Sequence, residues 1–374
     1  MEQNSDILQK IEYLCQPIHK DQQEIIIELI QLYLEHMGFQ TTIYGSYVTQ
    51  SQILDSDVDI SITHDKINSK NQEIQAVQTI KNKFLRDENL ENIFQINSFH
   101  KAIVPLINLE QRQEGILIQL LINNDNGVKN SQLLKEYFSI HPKFQQLIKL
   151  VKLWFLSFNF QNKQMLKSYS ILLFVVCYLQ QNNFVPYLQN VKQTDFTKYL
   201  DREKNQNVYI QTSFIKFKDL PQQYKNQLRS ADQITLKELF SGFFNFMKKN
   251  IEQNLCFNIK DSRKIPITNG QSIFSCIDPF IPNFNPGERP FKQEEQRKIF
   301  EKIQRFDFAN YSKEMFKYVS KYLCKNYKFE QVKIRMKTIE DLEKYFQLTG
   351  NAKQLIESQK KFNDLGQQLC NLMF

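Results

Sequence analysis

The residues best suited to chemistry lie between positions 44 and 62 of this sequence. A Gly-Ser pair, Gly45 and Ser46, is followed farther along by Asp57 and Asp59, with one residue between the two acids. Alternate residues of a β-strand share a face, so the two carboxylates are predicted to point the same way. Adjacent carboxylates repel each other unless a cation lies between them, and their oxygens suit Mg²⁺ or Mn²⁺.

The Gly-Ser pair adds the features of a phosphate site. Gly45 lets the backbone approach a ligand closely, and the hydroxyl of Ser46 can hydrogen bond a phosphate. Together with the acids, this predicts a site for a nucleoside triphosphate and its metal ion. The alternative is a surface strand with solvated acids after a turn, which is the usual explanation of an isolated pair of this kind.

These residues require a block of strands and helices to position them. We predict a strand through Thr41–Val48 that is broken at Gly45, and further strands at 58–62, 101–109 and 115–122. A helix is predicted from Ile7 to about Met37 and another from Gln72 to Phe84. The apolar face of the first helix is predicted from its spacing as Ile26, Leu29, Ile30, Tyr33 and Met37, widened by Ile25 and Leu32.

From His141 onward the pattern becomes helical. Apolar spacing predicts helices at 143–158, 168–180 and 235–247, an irregular segment from Pro279 to Pro290, and a charged helical region from Gln293 to Phe374. The fold class is therefore α+β, with a mixed strand and helix block inside a mainly helical protein.

Composition limits the class of protein. The chain has 374 residues, 41% of them hydrophobic, which excludes wholesale disorder. Its six cysteines form no C-x-x-C pair, so no zinc site is predicted, and they are typical of reduced thiols in an intracellular protein. The start of the sequence is neither a signal nor a transit peptide, and no apolar run is long enough for a bilayer. We expect a soluble cytoplasmic or nuclear protein without a membrane partner.

The order of motifs over about residues 5–300 resembles a known family. Beyond the Gly-Ser and Asp57–Asp59 segment, the similar stretches are 102–109, 115–124, 129–134, 147–154, 167–180, 236–246 and 276–287. In this order they resemble the terminal nucleotidyltransferases, the poly(A)/poly(U) polymerase branch of the DNA polymerase β-like nucleotidyltransferases.

The resemblance implies an architecture and a set of roles. A small mixed-sheet palm domain, residues 38–140, would be inserted into a helical poly(A)-polymerase-associated domain, residues 1–37 with 141–300, followed by a C-terminal helical extension, 301–374. The implied metal ligands are Asp57 and Asp59. The implied nucleotide contacts are Gly45, Ser46, Asn130 near the sugar, Lys152 and Ser168 on phosphate, Tyr169 on the base, and Asp278 at the base edge. For Asp278, a capping role before Pro279 is the alternative.

The sequence departs from the family pattern at three positions. The third carboxylate of the family falls at Gln119, whose neutral amide is a weaker ligand for Mg²⁺. A second lysine, one turn after the first, is replaced by Leu156, although Lys163 or Lys167 could supply that charge. The histidine common in uridine-preferring members is replaced by Phe284, which cannot hydrogen bond a base.

A row of lysines near the C-terminus bears on RNA. Lys313, Lys317, Lys321 and Lys325 recur at helical spacing with aromatic residues between them, and the net charge is +8. This pattern predicts either a strip that contacts RNA or a solvated lysine face over an aromatic core.

The implied activity is addition of UMP or AMP from nucleoside triphosphates to RNA 3′ ends by two-metal chemistry, with RNA, a nucleoside triphosphate and an accessory protein as partners. The alternative is a catalytically weakened homologue that serves as an RNA-binding or scaffold subunit of an RNA-processing complex. An enzyme that makes a small cyclic nucleotide product fits the later motifs less well.

Overall fold

The computed structural model describes residues 8, 11–12, 15–17, 20–54, 56–100, 104–157, 166–189, 196–201, 206–261, 263–268, 271–281, 284–287 and 293–326. Its first half holds helix α1 (Lys20–His36), strands β1 (Gln40–Tyr44) and β2 (Val58–Thr63), helices α2 (Lys70–Arg86) and α3 (Glu88–Ile93), and strands β3 (Phe94–His100), β4 (Leu106–Gln111) and β5 (Leu117–Ile122).

The second half is mainly helical. It consists of α4 (Asp125–Phe138), α5 (Pro142–Ser157), α6 (Ser168–Gln181), a hairpin of β6 (Phe196–Asp201) and β7 (Gln206–Gln211), the single-turn α7 (Gln222–Lys225), α8 (Leu236–Glu252), α9 (Gln293–Gln304) and α10 (Phe308–Asn326). The predicted α+β class is confirmed. None of the helices in the described part of the chain is both long and apolar enough to cross a bilayer.

The five strands of the first half form one mixed sheet in the order β1-β2-β5-β4-β3, in which only β2 and β5 run parallel. Alternation gives this sheet two chemically different faces. Val58, Ile60, Ile118 and Leu120 are almost fully buried on one face, where α1 and α2 cover them. The other face carries Asp59 and its neighbours and is the face that borders the cleft.

The structure contains two hydrophobic cores. One joins the sheet to α1 and α2, and the other joins α4, α5, α6, α8, α9 and α10. The second is rich in aromatic residues, and Trp154 lies in it with its ring 4.4 Å from that of Phe244. The predicted domain boundaries stay a prediction, but packing divides residues 1–37. Leu8 and Ile11 belong to the helical core, whereas the buried residues of α1 belong to the sheet core.

The predicted apolar face of α1 is partly wrong. Ile26 and Ile30 are buried, but so are Ile27 and Leu34, while the predicted Ile25, Leu29 and Leu32 are exposed. Apolar residues cover more than half of the circumference of this helix, so their spacing alone does not determine which of them meet the sheet. Gly38 ends the helix as expected: it has a φ of +85° and donates to the carbonyl of Glu35 at 2.8 Å.

Four strands also differ from expectation. The strand predicted at 101–109 begins at Leu106, after Pro105, and residues 101–103 lie outside the described part of the chain. Strands β3, β6 and β7 were not predicted from the sequence, because their polar residues hide the alternation that marks a strand. The helical prediction beyond Asn326 also lies outside the described residues.

A pair of alanine substitutions tests the register of α1. Ile27→Ala should lower the free energy of unfolding by about 2–5 kcal/mol, because it leaves a cavity between α1 and the sheet. Ile25→Ala should change it by less than about 0.5 kcal/mol, because that side chain is solvated. Urea denaturation followed by circular dichroism measures both. Equal losses would place α1 in a different register.

Candidate active site

A cavity of about 380 Å³ lies between the polar face of the sheet, α4 and the start of α6. It is lined by residues that are far apart in sequence. The predicted site residues that line it are Gly45, Ser46, Asp57, Asp59, Asn130, Lys152, Ser168, Tyr169 and Asp278. Lys167 and Phe284 line it as well. Segments singled out separately in the sequence therefore meet at one cleft.

Asp57 and Asp59 stand at the start of β2, on the cleft face. Val58 and Ile60 point into the sheet core and are fully buried, which fixes the acids on the opposite side. Burial raises the pKa of Asp59 to about 8, and the charge of Asp57 adds to this effect. Burial also raises the pKa of Asp57. The surrounding protein alone therefore compensates the negative charge of the two carboxylates poorly.

The donor set fits a divalent cation. Two half-buried carboxylates that repel each other gain most from a positive charge placed between them, and carboxylate oxygens are preferred ligands of Mg²⁺. Among the described residues, no group of three or more His, Cys, Asp or Glu is arranged to hold a metal. Asp57 and Asp59 are thus the residues that would hold the ion.

Gln119 lies beside the acids. On parallel strands its Cα pairs with that of Asp59, as expected if it occupies the third position of the motif. The flanking Ile118 and Leu120 are buried on the other face, so Gln119 is on the cleft face. The nearest acids in sequence are Glu114, in the turn before β5, and Asp125, the first residue of α4. Neither these acids nor Gln119 line the cavity.

The Gly45 turn is held against the acids by α4. The amide of Gly45 donates to Ser131 Oγ at 2.7 Å, and this hydroxyl donates to the carbonyl of Gly127 at 2.7 Å. Gly45 has a φ of +73°, and a β-carbon there would overlap the carboxylate of Asp59. Glycine is required at this position by its backbone conformation and by the closeness of Asp59.

Two hydroxyl-bearing residues offer contacts to an anion. Ser46 Oγ is buried and has no hydrogen-bond partner among the described residues, which is costly unless a ligand supplies one. Ser168 is the exposed first residue of α6, and Lys167 precedes it. A helix N-terminus attracts negative charge, so these residues favour a phosphate on this side of the cavity.

Lys152 reaches the same region from α5. It is 4% exposed, and its Nζ donates to the carbonyl of Ser51 at 2.7 Å. Burial lowers its pKa to about 8, opposed by the charges of Asp57 and Asp59. The lysine therefore balances part of the acidic charge in the absence of a ligand.

A hydrogen-bonded group closes the other side of the cavity. The hydroxyl of Tyr169 donates to Asp278 Oδ2 at 3.0 Å, and Asn130, beside both residues, opposes the rise of their pKa values that burial causes. Asp278 Oδ1 accepts from the amides of Phe280 and Ile281 at 2.9 and 2.8 Å. Asp278 thus caps the turn that follows it, which is the alternative role predicted from the sequence, and it also lines the cavity.

The turn presents Phe284 to the cavity. Asn285 Oδ1 accepts from the amides of Cys276 and Gly287 at 2.9 and 3.0 Å, which fixes the loop after Phe284. The ring of Phe284 remains 46% exposed. It therefore offers an aromatic surface, but no hydrogen bond, to whatever occupies this end of the cavity.

The lysine row lies away from this cavity. Lys313 and Lys317 are exposed on α10, and the side chains of Lys321 and Lys325 are outside the described part of the structure. Tyr318 and Tyr322 pack against the helical core. This packing favours a solvated lysine face, and a role in RNA binding stays a prediction. Lys163 also lies outside the described residues.

Several lining residues escaped the sequence reasoning. They are Tyr44, Thr49, Ser51, Ser56, Asn124, Asn126, Gly127, Ser131, Leu134, Leu172 and Pro286. Burial and the charge of Asp59 raise the pKa of Tyr44, and Asn124 opposes this rise. The available signal was their position: Tyr44 ends β1, and Asn124 lies just after β5. The role of Ser131 has no such signal because it depends on a contact 86 residues away.

Comparison with known proteins agrees with this geometry. The family model of the central palm domain of mitochondrial-like poly(A) RNA polymerases matches residues 4–139. Poly(A) RNA polymerase CID14 of Cryptococcus neoformans is 28% identical over 144 residues, which cover 38% of this chain and 18% of that protein. Terminal uridylyltransferase 4 of Mus musculus is 24% identical over 261 residues, covering 66% of this chain and 15% of that protein.

The fold has solved counterparts. Cid1 in complex with its short product ApU superposes with a TM-score of 0.65 at 17% identity, over 81% of this chain and 92% of that one. Cid1 poly(U) polymerase with Mg 3′-dATP bound gives a TM-score of 0.66 at 17% identity, over 80% and 92%. At this identity the likeness concerns the fold. The chain spans less than a fifth of the length of the two curated relatives given above.

Two glycine substitutions separate backbone strain from the local role of Gly45. Gly45→Ala and Gly38→Ala should each lower stability by about 1–2 kcal/mol, because both residues have positive φ. Only Gly45→Ala crowds Asp59, since nothing lies within 4 Å of a β-carbon at Gly38. Calorimetric titration with MgATP and MgUTP should therefore show weaker binding for Gly45→Ala alone. Equal triphosphate binding by both variants would show that Gly45 is not part of the ligand site.

Proposed function

We propose that the protein is a terminal RNA nucleotidyltransferase, because residues 4–139 match the model of the central palm domain of mitochondrial-like poly(A) RNA polymerases. It would add ribonucleotides, UMP or AMP, from nucleoside triphosphates to the 3′ end of RNA without a template. The carrying observation is the cavity itself, in which paired acids face a buried hydroxyl without a partner, a buried lysine and a helix N-terminus.

Each side of the cavity supports one part of the substrate. The triphosphate lies toward Ser46, Lys152, Lys167 and Ser168, where hydroxyls, cationic amines and the dipole of α6 favour negative charge. The base lies toward Tyr169 and Phe284, whose rings supply stacking surfaces. Asn130, which is 5% exposed and has an unpaired Oδ1, lies between the two and offers an acceptor to the ribose.

The reaction is a single displacement at phosphorus. The terminal 3′-hydroxyl of RNA loses its proton and forms a bond to the α-phosphorus, while the bond to pyrophosphate breaks. A divalent cation on Asp57 and Asp59 would lower the charge at the phosphate and favour ionisation of the hydroxyl. The chain's own residues contribute by holding the triphosphate in line and by stabilising charge, and such positioning accounts for much of catalysis in phosphoryl transfer.

Base choice follows from the Phe284 end of the cavity. An aromatic ring without a hydrogen-bonding group supports stacking on any base but no selection of uracil over adenine. We therefore propose that the enzyme accepts both UTP and ATP. The use of Mg²⁺ or Mn²⁺, an accessory protein that selects the RNA, and a cytoplasmic or nuclear location stay predictions from the sequence.

A tailing assay tests this function. The purified chain, a short labelled RNA, Mg²⁺ or Mn²⁺ and each of the four ribonucleoside triphosphates should give RNA extended at its 3′ end with UTP and with ATP. Asp59→Asn should abolish extension, because it removes one ligand of the cation. Glu28→Gln, which makes the same change at an exposed carboxylate of α1, is the control for nonspecific loss. Protein that binds a triphosphate but extends no RNA would contradict the proposal.

The amide at position 119 should limit the rate. Gln119→Asp restores a third carboxylate beside Asp59 and should raise kcat on the order of tenfold or more, since a charged ligand holds the hydroxyl-side cation better than an amide does. Single-turnover extension with UTP and ATP measures the change. Gln119→Asn, a shortened amide, is the matched control and should not raise the rate. An unchanged or lower rate for Gln119→Asp would show that position 119 is not limiting.

A further inference from the structure

A polar row crosses the cleft face of the sheet. The Cα atoms of Asp59 and Gln119 pair across β2 and β5, those of Gln119 and Asn108 across β5 and β4, and those of Asn108 and Ser98 across β4 and β3. Paired residues of adjacent strands project to the same face. Gln119 therefore stands between the acid of the site and Asn108.

Asn108 has one satisfied end and one unsatisfied end. Its Nδ2 donates to Ser98 Oγ at 2.7 Å, whereas its Oδ1 is buried and has no partner among the described residues. A buried acceptor without a donor destabilises the folded chain. Because solvent does not reach this atom and no described residue bonds it, a donor would have to come from an adjacent side chain. Ser98 is already bonded to the other end of the amide, and the neighbour on the opposite side is Gln119.

The amide of Gln119 has two orientations with opposite chemistry. With its NH₂ toward Asp59 it donates to a carboxylate, and its own carbonyl then faces the carbonyl of Asn108. In the reverse orientation the NH₂ satisfies Asn108 Oδ1, and the carbonyl oxygen faces the acids. The second arrangement satisfies the buried acceptor and is the one compatible with a cation on Asp57 and Asp59, since a cation repels the NH₂ group.

We propose that Asn108 is a positioning residue that orients the Gln119 amide so that its carbonyl oxygen faces Asp57 and Asp59. The proposal rests on the proposed function, because it assigns a role within the same site. Asn108 thereby lets an amide serve as a third oxygen donor without adding negative charge to two acids that already repel each other. The result is a site with three oxygen donors and two charges.

Two variants of β4 test this role through binding. Asn108→Leu keeps approximate size but removes the acceptor, so the Gln119 amide loses its orientation. Binding of a non-hydrolysable UTP analogue, measured by calorimetry over a series of Mg²⁺ concentrations, should require about tenfold more Mg²⁺ for the same affinity. Glu110→Gln is the matched control, on the same strand and face but bonded to Asn97, and should leave the Mg²⁺ requirement unchanged.

A second substitution distinguishes positioning from a general effect on the sheet. In a Gln119→Asp background there is no NH₂ to orient, so adding Asn108→Leu should leave the Mg²⁺ requirement as it is in Gln119→Asp alone. Asn108→Asp keeps an acceptor, so it should need less Mg²⁺ than Asn108→Leu to reach the same affinity for the analogue. An equal loss in both backgrounds, no loss in either, or an Asn108→Asp variant as weak as Asn108→Leu would overturn the proposal.

The two proposals can fail separately. Binding of the analogue and its dependence on Mg²⁺ need no RNA extension, so they report on Asn108 even from protein that does not tail RNA. If the wild-type chain extends RNA while Asn108→Leu has the Mg²⁺ dependence of wild type, the function stands and the role of Asn108 falls. Melting temperatures are measured for all variants. Those of Asn108→Asp and Glu110→Gln should lie within a few degrees of the wild-type value.

Discussion

The repulsion between Asp57 and Asp59 is the constraint on which the rest of the site depends. The buried alternation of Val58 and Ile60 leaves the two carboxylates no other face of β2, and burial makes the pKa of Asp59 about 8. The protein offsets the repulsion between the two carboxylates only in part. Lys152 lies near enough to lower both acidic pKa values, but burial lowers its own pKa to about 8 and its amine is bonded to Ser51. A site with this imbalance is arranged for a positively charged ligand, which is a physical reason for the proposed use of a divalent cation.

The same site joins the two hydrophobic cores. α4 follows directly from β5 of the sheet, and through Ser131 it fixes the Gly45 turn against the acids. The preceding residue of α4, Asn130, lies beside Tyr169 and Asp278 on the opposite wall and opposes the rise of their pKa values. Because residues 130 and 131 are adjacent, a shift of α4 would disturb both walls of the cavity together. This coupling explains how residues in separate cores keep a common geometry around a cavity of about 380 Å³.

Strand phase was predicted better than helix orientation. Asp57 and Asp59 lie opposite the buried Val58 and Ile60, because buried apolar neighbours fix strand phase and phase determines which side chains share a face. The functional roles of the acids, of Gly45 and of Gln119 stay predictions. The same logic failed for α1, whose apolar residues cover more than half of its circumference, so that Ile27 and Leu34 could not be distinguished from Ile25 and Leu32. It also missed β3, which is specified by pairing with β4 and not by its own pattern. Ser131 was beyond local reasoning because only the folded chain brings it to Gly45.

At Gln119, strand phase predicts the face on which the side chain lies but not the orientation of its amide. Register puts its Cα opposite Asp59, but an amide and a carboxylate of similar shape differ in charge and in having distinct ends, and neither property follows from the position in the strand. Which end of the Gln119 amide faces the acids depends on the next strand, β4. There Asn108 offers its buried Oδ1 as an acceptor, while its Nδ2 is bonded to Ser98. A substitution that looks like a loss when compared with a motif of three acids is thus part of a polar row that extends to the edge of the sheet. The chemistry of position 119 is then determined by two strands outside the motif, and a third oxygen can be supplied without a third charge.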